Sequence, residues 1–279
     1  MRPGGAKRAV YLAAGIAVSL VFAGPLCWEI LRSLEPDPLL TAAPSAADLS
    51  HLGLSNYRTL LSGGDDIIRN VLNSLIVAVG TAALTTAVAT VAGYGFGRLT
   101  FPGSGLAFGV VLLAFMVPFQ AVLTPLFLEM HYLHLLNSLL GLTLFYTAHN
   151  LPFGVYVMRN TFRQLPRELV EAARVDGASP VAGFWRVLRP LVVPGMATAA
   201  LYAFLFSWTE FLAALTLVTD TGLYTLPVAL DNVELGTYGS LNIGLLCAGA
   251  VVAMIPCVLV YVALQRYYVQ GLLSGAVKG

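Results

Sequence analysis

From Val71 to Gly97 no residue carries a charge. A helix crossing the hydrocarbon core of a bilayer needs about 20 mostly apolar residues, and this chain supplies such stretches repeatedly. Six are expected to span, at roughly 9–32, 67–97, 105–129, 138–159, 191–219 and 241–265. Composition closes off the soluble alternative. Charged residues are 10% of the 279 and hydrophobic ones 58%, whereas soluble domains carry about 25% charged residues. A chain with so few charges cannot cover its surface in water; lipid removes the problem. The expected fold class is therefore an all-α membrane protein with about six transmembrane helices.

The net charge of +1 creates no field for nucleic acid. Cys27, Cys247 and Cys257 all lie in apolar runs; an odd count in that setting reads as packing thiols, with neither a disulfide framework nor a zinc pattern. The chain opens with Arg2, Lys7 and Arg8 before the run from Ala9 to Leu26. That run exceeds the roughly 7–15 residues of a signal-peptide core, so a retained first membrane helix is expected.

Basic residues set the orientation. Arg2, Lys7, Arg8, Arg98, Arg159, Arg163, Arg167, Arg174, Arg186, Arg189, Arg266 and Lys278 fall on one side, which is twelve of the fifteen. Arg32, Arg58 and Arg69 fall on the other. Both termini and the 160–190 segment are then cytoplasmic. The outer segment 33–66 is acidic and rich in proline, with a short interfacial helix expected from Ser55.

The cytoplasmic run from Gln164 to Pro180 reads as two short helices joined by a tight turn. Pro166 suits a first helical turn, where its missing N–H costs nothing. Glu168 favours the same N-terminus, and Arg167 and Glu171 are spaced i,i+4. Gly177 can end the helix at positive φ. Ser179 and Pro180 then read as the cap and first turn of a second helix running through Phe184, Val187 and Leu188. Ala172 and Ala173 leave a low face that a partner can approach closely. On physical grounds alone the segment is either such a docking knob or a helix lying on the headgroups.

Glu171-Ala172-Ala173, with Asp176, Gly177 and Ala178 and then Phe184, Val187 and Pro190, resembles the EAA loop of bacterial ABC importer permeases. Further stretches resemble the same family: Asn73 to Val77, Tyr94 to Pro102, Asn150 to Phe153, and Ser207 to Phe211. The ending Gln270 to Gly279 resembles the tail of the maltose-type second permease, and the likeness runs over about residues 52–279. It implies a type I importer permease fold in the bacterial plasma membrane. It also implies that Glu171, Ala172, Ala173, Asp176, Gly177 and Ala178 couple the chain to a separate ATP-binding subunit. The other implied partners are a second homologous permease, a dimer of ATP-binding subunits, and an extracytoplasmic solute-binding protein, with a sugar or sugar-like cargo. Residues 1–66 would hold the first span and the external segment, 67–270 the permease domain, and 271–279 a cytoplasmic tail.

The only lysines are Lys7 and Lys278, and neither follows a phosphate-binding glycine loop. No catalytic role is expected for the chain, and no cofactor of its own; ATP and magnesium would be used by the partner. His131 and His134 beside Glu129 read as loop residues, since nothing completes a metal set. Within the spans, Glu210 is costly unless it faces a partner or a cavity, so it either ties helices together or meets the solute. Gln120, Asn150, Asn73 and Trp208 are further candidates to line a sugar path. In the connection 220–240, the resemblance assigns Asn232, Glu234 and Tyr238 to contact with the binding protein; a plain solvated loop is the other reading. Two rival functions stand beside the importer. A membrane-embedded enzyme would need clustered acids or histidines, and a self-sufficient secondary transporter would need ion-coupling acids in its spans.

Overall fold

The structure, a computed structural model, describes residues 5–36, 52–62, 66–166, 168–169, 175, 177, 179–234 and 242–276. All regular elements among them are helical, with no strand. In chain order the helices are α1 (Gly5–Leu34), α2 (Ser55–Ser62), α3 (Ile67–Arg98), α4 (Ser104–Phe115), α5 (Phe119–Tyr132) and α6 (Leu139–Gln164). There follow α7 (Pro180–Gly183), α8 (Arg189–Thr209), α9 (Leu212–Leu217), α10 (Leu226–Glu234) and α11 (Ile243–Ala276). A wider π turn, Phe184–Leu188, carries α7 into α8.

By length and composition, four helical stretches can cross a membrane: Val10–Leu34, Ile67–Arg98, Phe184–Thr209 and Ile243–Tyr267. At about 1.5 Å per residue, α3 is longer than the hydrocarbon core is thick, so it tilts or protrudes. The expected third span is bent by 99° between α4 and α5. Pro118 is the reason: it has no N–H to continue α4, and it drives Val117 out of the helical region. The fourth expected span forms α6, which is long enough but falls short of the apolarity of the others. Packing explains this. α6 carries Asn150, Thr143 and Thr147 on buried positions, and it is wrapped by α4, α8 and α9. A helix surrounded by protein does not need a lipid-grade surface. The fifth expected span, 191–219, starts earlier, at Phe184, and is interrupted at Glu210 and Phe211.

The chain divides into two compact units. One comprises residues 1–68 and 229–255, the other 69–228 and 256–279. In the first, α2 forms where Ser55 predicts it and is tied to the end of α1. Asn56 donates to the carbonyls of Ser33 and Glu35 at 3.0 and 2.9 Å, and the Ser33 and Tyr57 hydroxyls are 2.7 Å apart.

The second unit holds two apolar clusters. One gathers Val77, Leu142, Phe145, Tyr146, Ala213 and Leu217; the other gathers Ala89, Phe108, Val155, Met158, Phe162 and Val192. Between them α3 and α6 lie in close contact. Thr85, Ala89, Gly93 and Gly97 recur every four residues on α3, and each faces α6. Small residues at that spacing let membrane helices approach closely and gain dispersion contacts.

Candidate functional site

Of the six residues expected to couple, the structure describes Gly177. Its φ is +76°, a conformation that costs an L-residue roughly 1–2 kcal/mol and glycine nothing. Glu171, Ala172, Ala173, Asp176 and Ala178 lie outside the described residues. α6 ends at Gln164, with Leu165 extended ahead of Pro166, as a residue before proline prefers. On the far side, the Ala182 N–H donates to the Ser179 hydroxyl at 3.2 Å, the N-cap expected from Ser179-Pro180. Phe184 then sits edge-on to Tyr94 of α3, with centroids 6.4 Å apart, and Tyr94 sits edge-on to Phe162 of α6 at 5.4 Å. Phe184 is therefore keyed by aromatic side chains into α3 and α6, and its turn leads directly into α8.

A second group of polar residues lies where α6, α8 and α9 meet. Glu210 is an extended residue in the break between α8 and α9, with φ −71° and ψ 131°. Its carboxylate accepts from the Tyr146 hydroxyl at 2.5 Å. It also accepts from the Ala213 N–H at 3.0 Å and the Ala214 N–H at 3.4 Å. An anion at the first turn of α9 satisfies amides that have no intrahelical partner. Tyr146 is fully buried, edge-on to Phe145 and Phe206. One turn further, the Asn150 amide donates to the Tyr146 carbonyl at 2.7 Å, while its Oδ1 is buried without a partner.

The other path candidates are placed differently. Asn73 donates to the carbonyls of Gly222 and Tyr224 at 3.1 and 3.0 Å, and its neighbour Ser74 accepts from the Leu226 N–H at 2.7 Å. Trp208 is buried and stacked on Phe204, centroids 5.9 Å apart. Gln120 is exposed in the first turn of α5, just past the Pro118 bend. The connection 220–240 is partly helical rather than a loop. Leu226, Ala229 and Val233 of α10 are buried at the i, i+3, i+7 spacing of one helix face. Asn232 is half-buried on α10, Glu234 is its last residue, and Tyr238 lies outside the described residues.

Two residues escape a reading by sequence. His149 is stacked on Phe206 at 4.6 Å and edge-on to Phe119 at 4.8 Å. It borders a cleft of about 160 Å³ at the α4–α5 bend, lined by Ala114, Val117, Val122, Leu126, Phe145 and Pro152. Asn137 holds φ +50°. Its side-chain oxygen accepts from the Thr219 N–H at 2.6 Å, the Thr219 hydroxyl at 3.0 Å and the Asp220 N–H at 3.0 Å. Asn is the side chain that tolerates this backbone and accepts such bonds, so the signal was an Asn between two apolar runs. Asn137→Ala is expected to cost about 1–2 kcal/mol. The check is the thermal midpoint of the detergent-solubilised protein, where N137D should stay closer to wild type than N137A.

Comparison with known proteins finds relatives that match nearly the whole chain. Residues 89–274 match the family described as binding-protein-dependent transport system inner membrane components. A trehalose transport system permease protein of Mycobacterium tuberculosis is 35% identical over 276 residues, covering 99% of this chain and 100% of its own length. An arabinooligosaccharides transport system permease protein of Bacillus subtilis is 31% identical over 264 residues, 94% of this chain and 92% of that one. The fold is shared with a chain in the crystal structure of a bacterial ABC transporter involved in import of the acidic polysaccharide alginate. The TM-score is 0.79 at 20% identity, covering 96% of this chain and 99% of that chain. This chain belongs to the family of binding-protein-dependent transport system inner membrane components.

Proposed function

We propose that the chain is the permease subunit of an ATP-driven importer for a sugar or sugar-like solute. The observation that carries the reading is the likeness along nearly the whole chain to permeases of trehalose and arabinooligosaccharide uptake. The chain would form the path with a second homologous permease and take its solute from an extracytoplasmic binding protein, contacted through Asn232, Glu234 and Tyr238. Residues 67–270 form the permease domain in this reading. Both termini and the 160–190 segment face the cytoplasm, where a dimer of ATP-binding subunits supplies the energy.

In this mechanism the ATP-binding subunits close on ATP and displace the 165–189 segment through Glu171, Ala172, Ala173, Asp176, Gly177 and Ala178. Phe184 passes the displacement to α3 and α6, and the covalent continuation passes it to α8. This chain needs no catalytic group or bound cofactor of its own. Gln120 is the first candidate to meet the solute, because its amide is exposed past the bend. Asn73, Asn150, Trp208 and Glu210 shape the wall of the path through the contacts described above.

The test is the assembled complex in vesicles. Gly177→Leu strains the turn by roughly 1–2 kcal/mol and removes the flat approach. Uptake of a labelled disaccharide by the complex is expected to fall by about five- to thirtyfold, the range that such a strain represents. ATP hydrolysis should lose its stimulation by loaded binding protein. Full, coupled uptake by G177L and by Glu171→Ala would remove the coupling role. Failure of any saccharide to bind the partner solute-binding protein would remove the cargo assignment and leave the coupling intact.

A further inference from the structure

Three arginines gather where α3 and α6 end. The last turn of α3 rests on α6, with Gly97 against the backbone of Arg159 and the side chain of Phe162. Arg98 follows, and its Nη2 donates to the Pro166 carbonyl at 3.2 Å. Arg159 and Arg163 are one turn apart on α6. The Arg159 guanidinium lies 3.8 Å above the Phe108 ring of α4. The Nε atoms of Arg98 and Arg159 are buried without a hydrogen-bond partner. Among the described residues no carboxylate forms an ion pair with any of the three. Arg98 and Arg159 are half-buried, Arg163 stands one turn from Arg159, and cations that form no ion pair among the described residues are stabilised by an added anion.

The surroundings favour a lipid as its source. α4 turns Leu106, Val110 and Leu113 outward, at 79%, 58% and 64% exposure, a stripe at i, i+4, i+7. Leu99 and Phe101, beside Arg98, are exposed too. The cations thus sit at the edge of an apolar surface that suits acyl chains. Guanidinium groups match phosphate oxygens in geometry and charge. We propose that Arg98, Arg159 and Arg163 form a site for the phosphate of an anionic phospholipid whose acyl chains lie along α4. The assignment of this lipid to the cytoplasmic leaflet rests on the topology proposed above; binding itself does not.

The experiment uses the full complex reconstituted in equal parts phosphatidylglycerol and phosphatidylcholine. Lipid retained after partial delipidation is read by native mass spectrometry. Wild type is expected to retain phosphatidylglycerol preferentially, and each contacting arginine replaced by Gln should lower that preference about fivefold. R98K/R159K/R163K should keep most of it. Should the triple Gln variant fail to assemble, R163Q alone at an exposed position provides the reading, together with loss of the preference at high salt in wild type. An unchanged preference in R98Q/R159Q/R163Q, or in R163Q where that variant stands in, overturns the proposal. So does displacement of the lipid by inorganic phosphate or glycerol phosphate, which would mark a site for a free anion. Loss of the ATP-binding subunits with the lipid preference intact overturns it as well, since the arginines would then serve a protein contact. Uptake plays no part in the readout, so failure here and failure of the importer reading are separable.

Discussion

Gly93→Leu is expected to abolish accumulation of folded protein. A Cβ at position 93 would lie 2.4 Å from the Met158 Cβ and 2.8 Å from the Arg159 backbone nitrogen. Neither neighbour is the free end of a side chain, and Met158 is completely buried, so only separation of α3 and α6 makes room. That separation is not local. The next contacts along the same seam place Ala89 and Thr85 against Gly154, so moving the helices apart opens the interface over several turns. Overpacking in a rigid core costs about 1–3 kcal/mol for one added group, and an isobutyl side chain against backbone exceeds that range. Even Gly93→Ala should lower the thermal midpoint by several degrees. Gly95→Ala is the control on the same helix, since nothing lies within 4 Å of its Cβ position; it should behave as wild type. Size-exclusion chromatography of the solubilised protein, followed by a thermal ramp, gives both readings. A monodisperse G93L protein with the wild-type midpoint would show that the two helices are not held at this distance.

The apolar runs were legible because lipid imposes a length on anything that crosses it. Their fate inside the bundle was less so. Pro118 marked a disturbance in the third run, but its presence alone does not specify the 99° between α4 and α5. The π turn at Phe184–Leu188 and the break after Thr209 have no such local marker. Glu210 reads as a mid-span carboxylate because neither Gly nor Pro stands beside it. The break is held by Tyr146, 64 residues earlier, and a partner at that distance leaves no periodic trace. The seam on α3 was visible in principle, as small residues at every fourth position, yet it takes the facing surface of α6 to show that Gly93 matters and Gly95 does not. At the described residues around the coupling segment the local chemistry was readable: Ser179 caps, Gly177 adopts positive φ, and Pro166 follows the end of α6. Each of those depends on its immediate neighbours alone.

The same remoteness gives the second large expectation. Glu210→Ala removes the acceptor for the Tyr146 hydroxyl and for two amides at the start of α9. Tyr146 is fully buried, so its hydroxyl has no water to turn to, and leaving one buried donor unsatisfied costs about 1–3 kcal/mol. The expected loss for E210A is about 2–4 kcal/mol, because the α9 amides lose their acceptor as well. Tyr146→Phe should cost about 1 kcal/mol in the wild-type background and should recover stability in E210A, where it removes the unsatisfied hydroxyl. The coupling energy from that cycle should exceed the ~0.6 kcal/mol average for neutral side-chain pairs in membrane proteins, since this acceptor carries charge. Glu210→Gln keeps an oxygen for the α9 amides but loses the charge, so it should fall between E210A and wild type in stability. The same variants separate architecture from solute contact. A carboxylate occupied by Tyr146 and α9 predicts that E210Q changes the KM of uptake by less than about threefold, within the range of an indirect effect. A KM raised tenfold or more in E210Q, with the thermal midpoint unmoved, would instead place Glu210 on the solute.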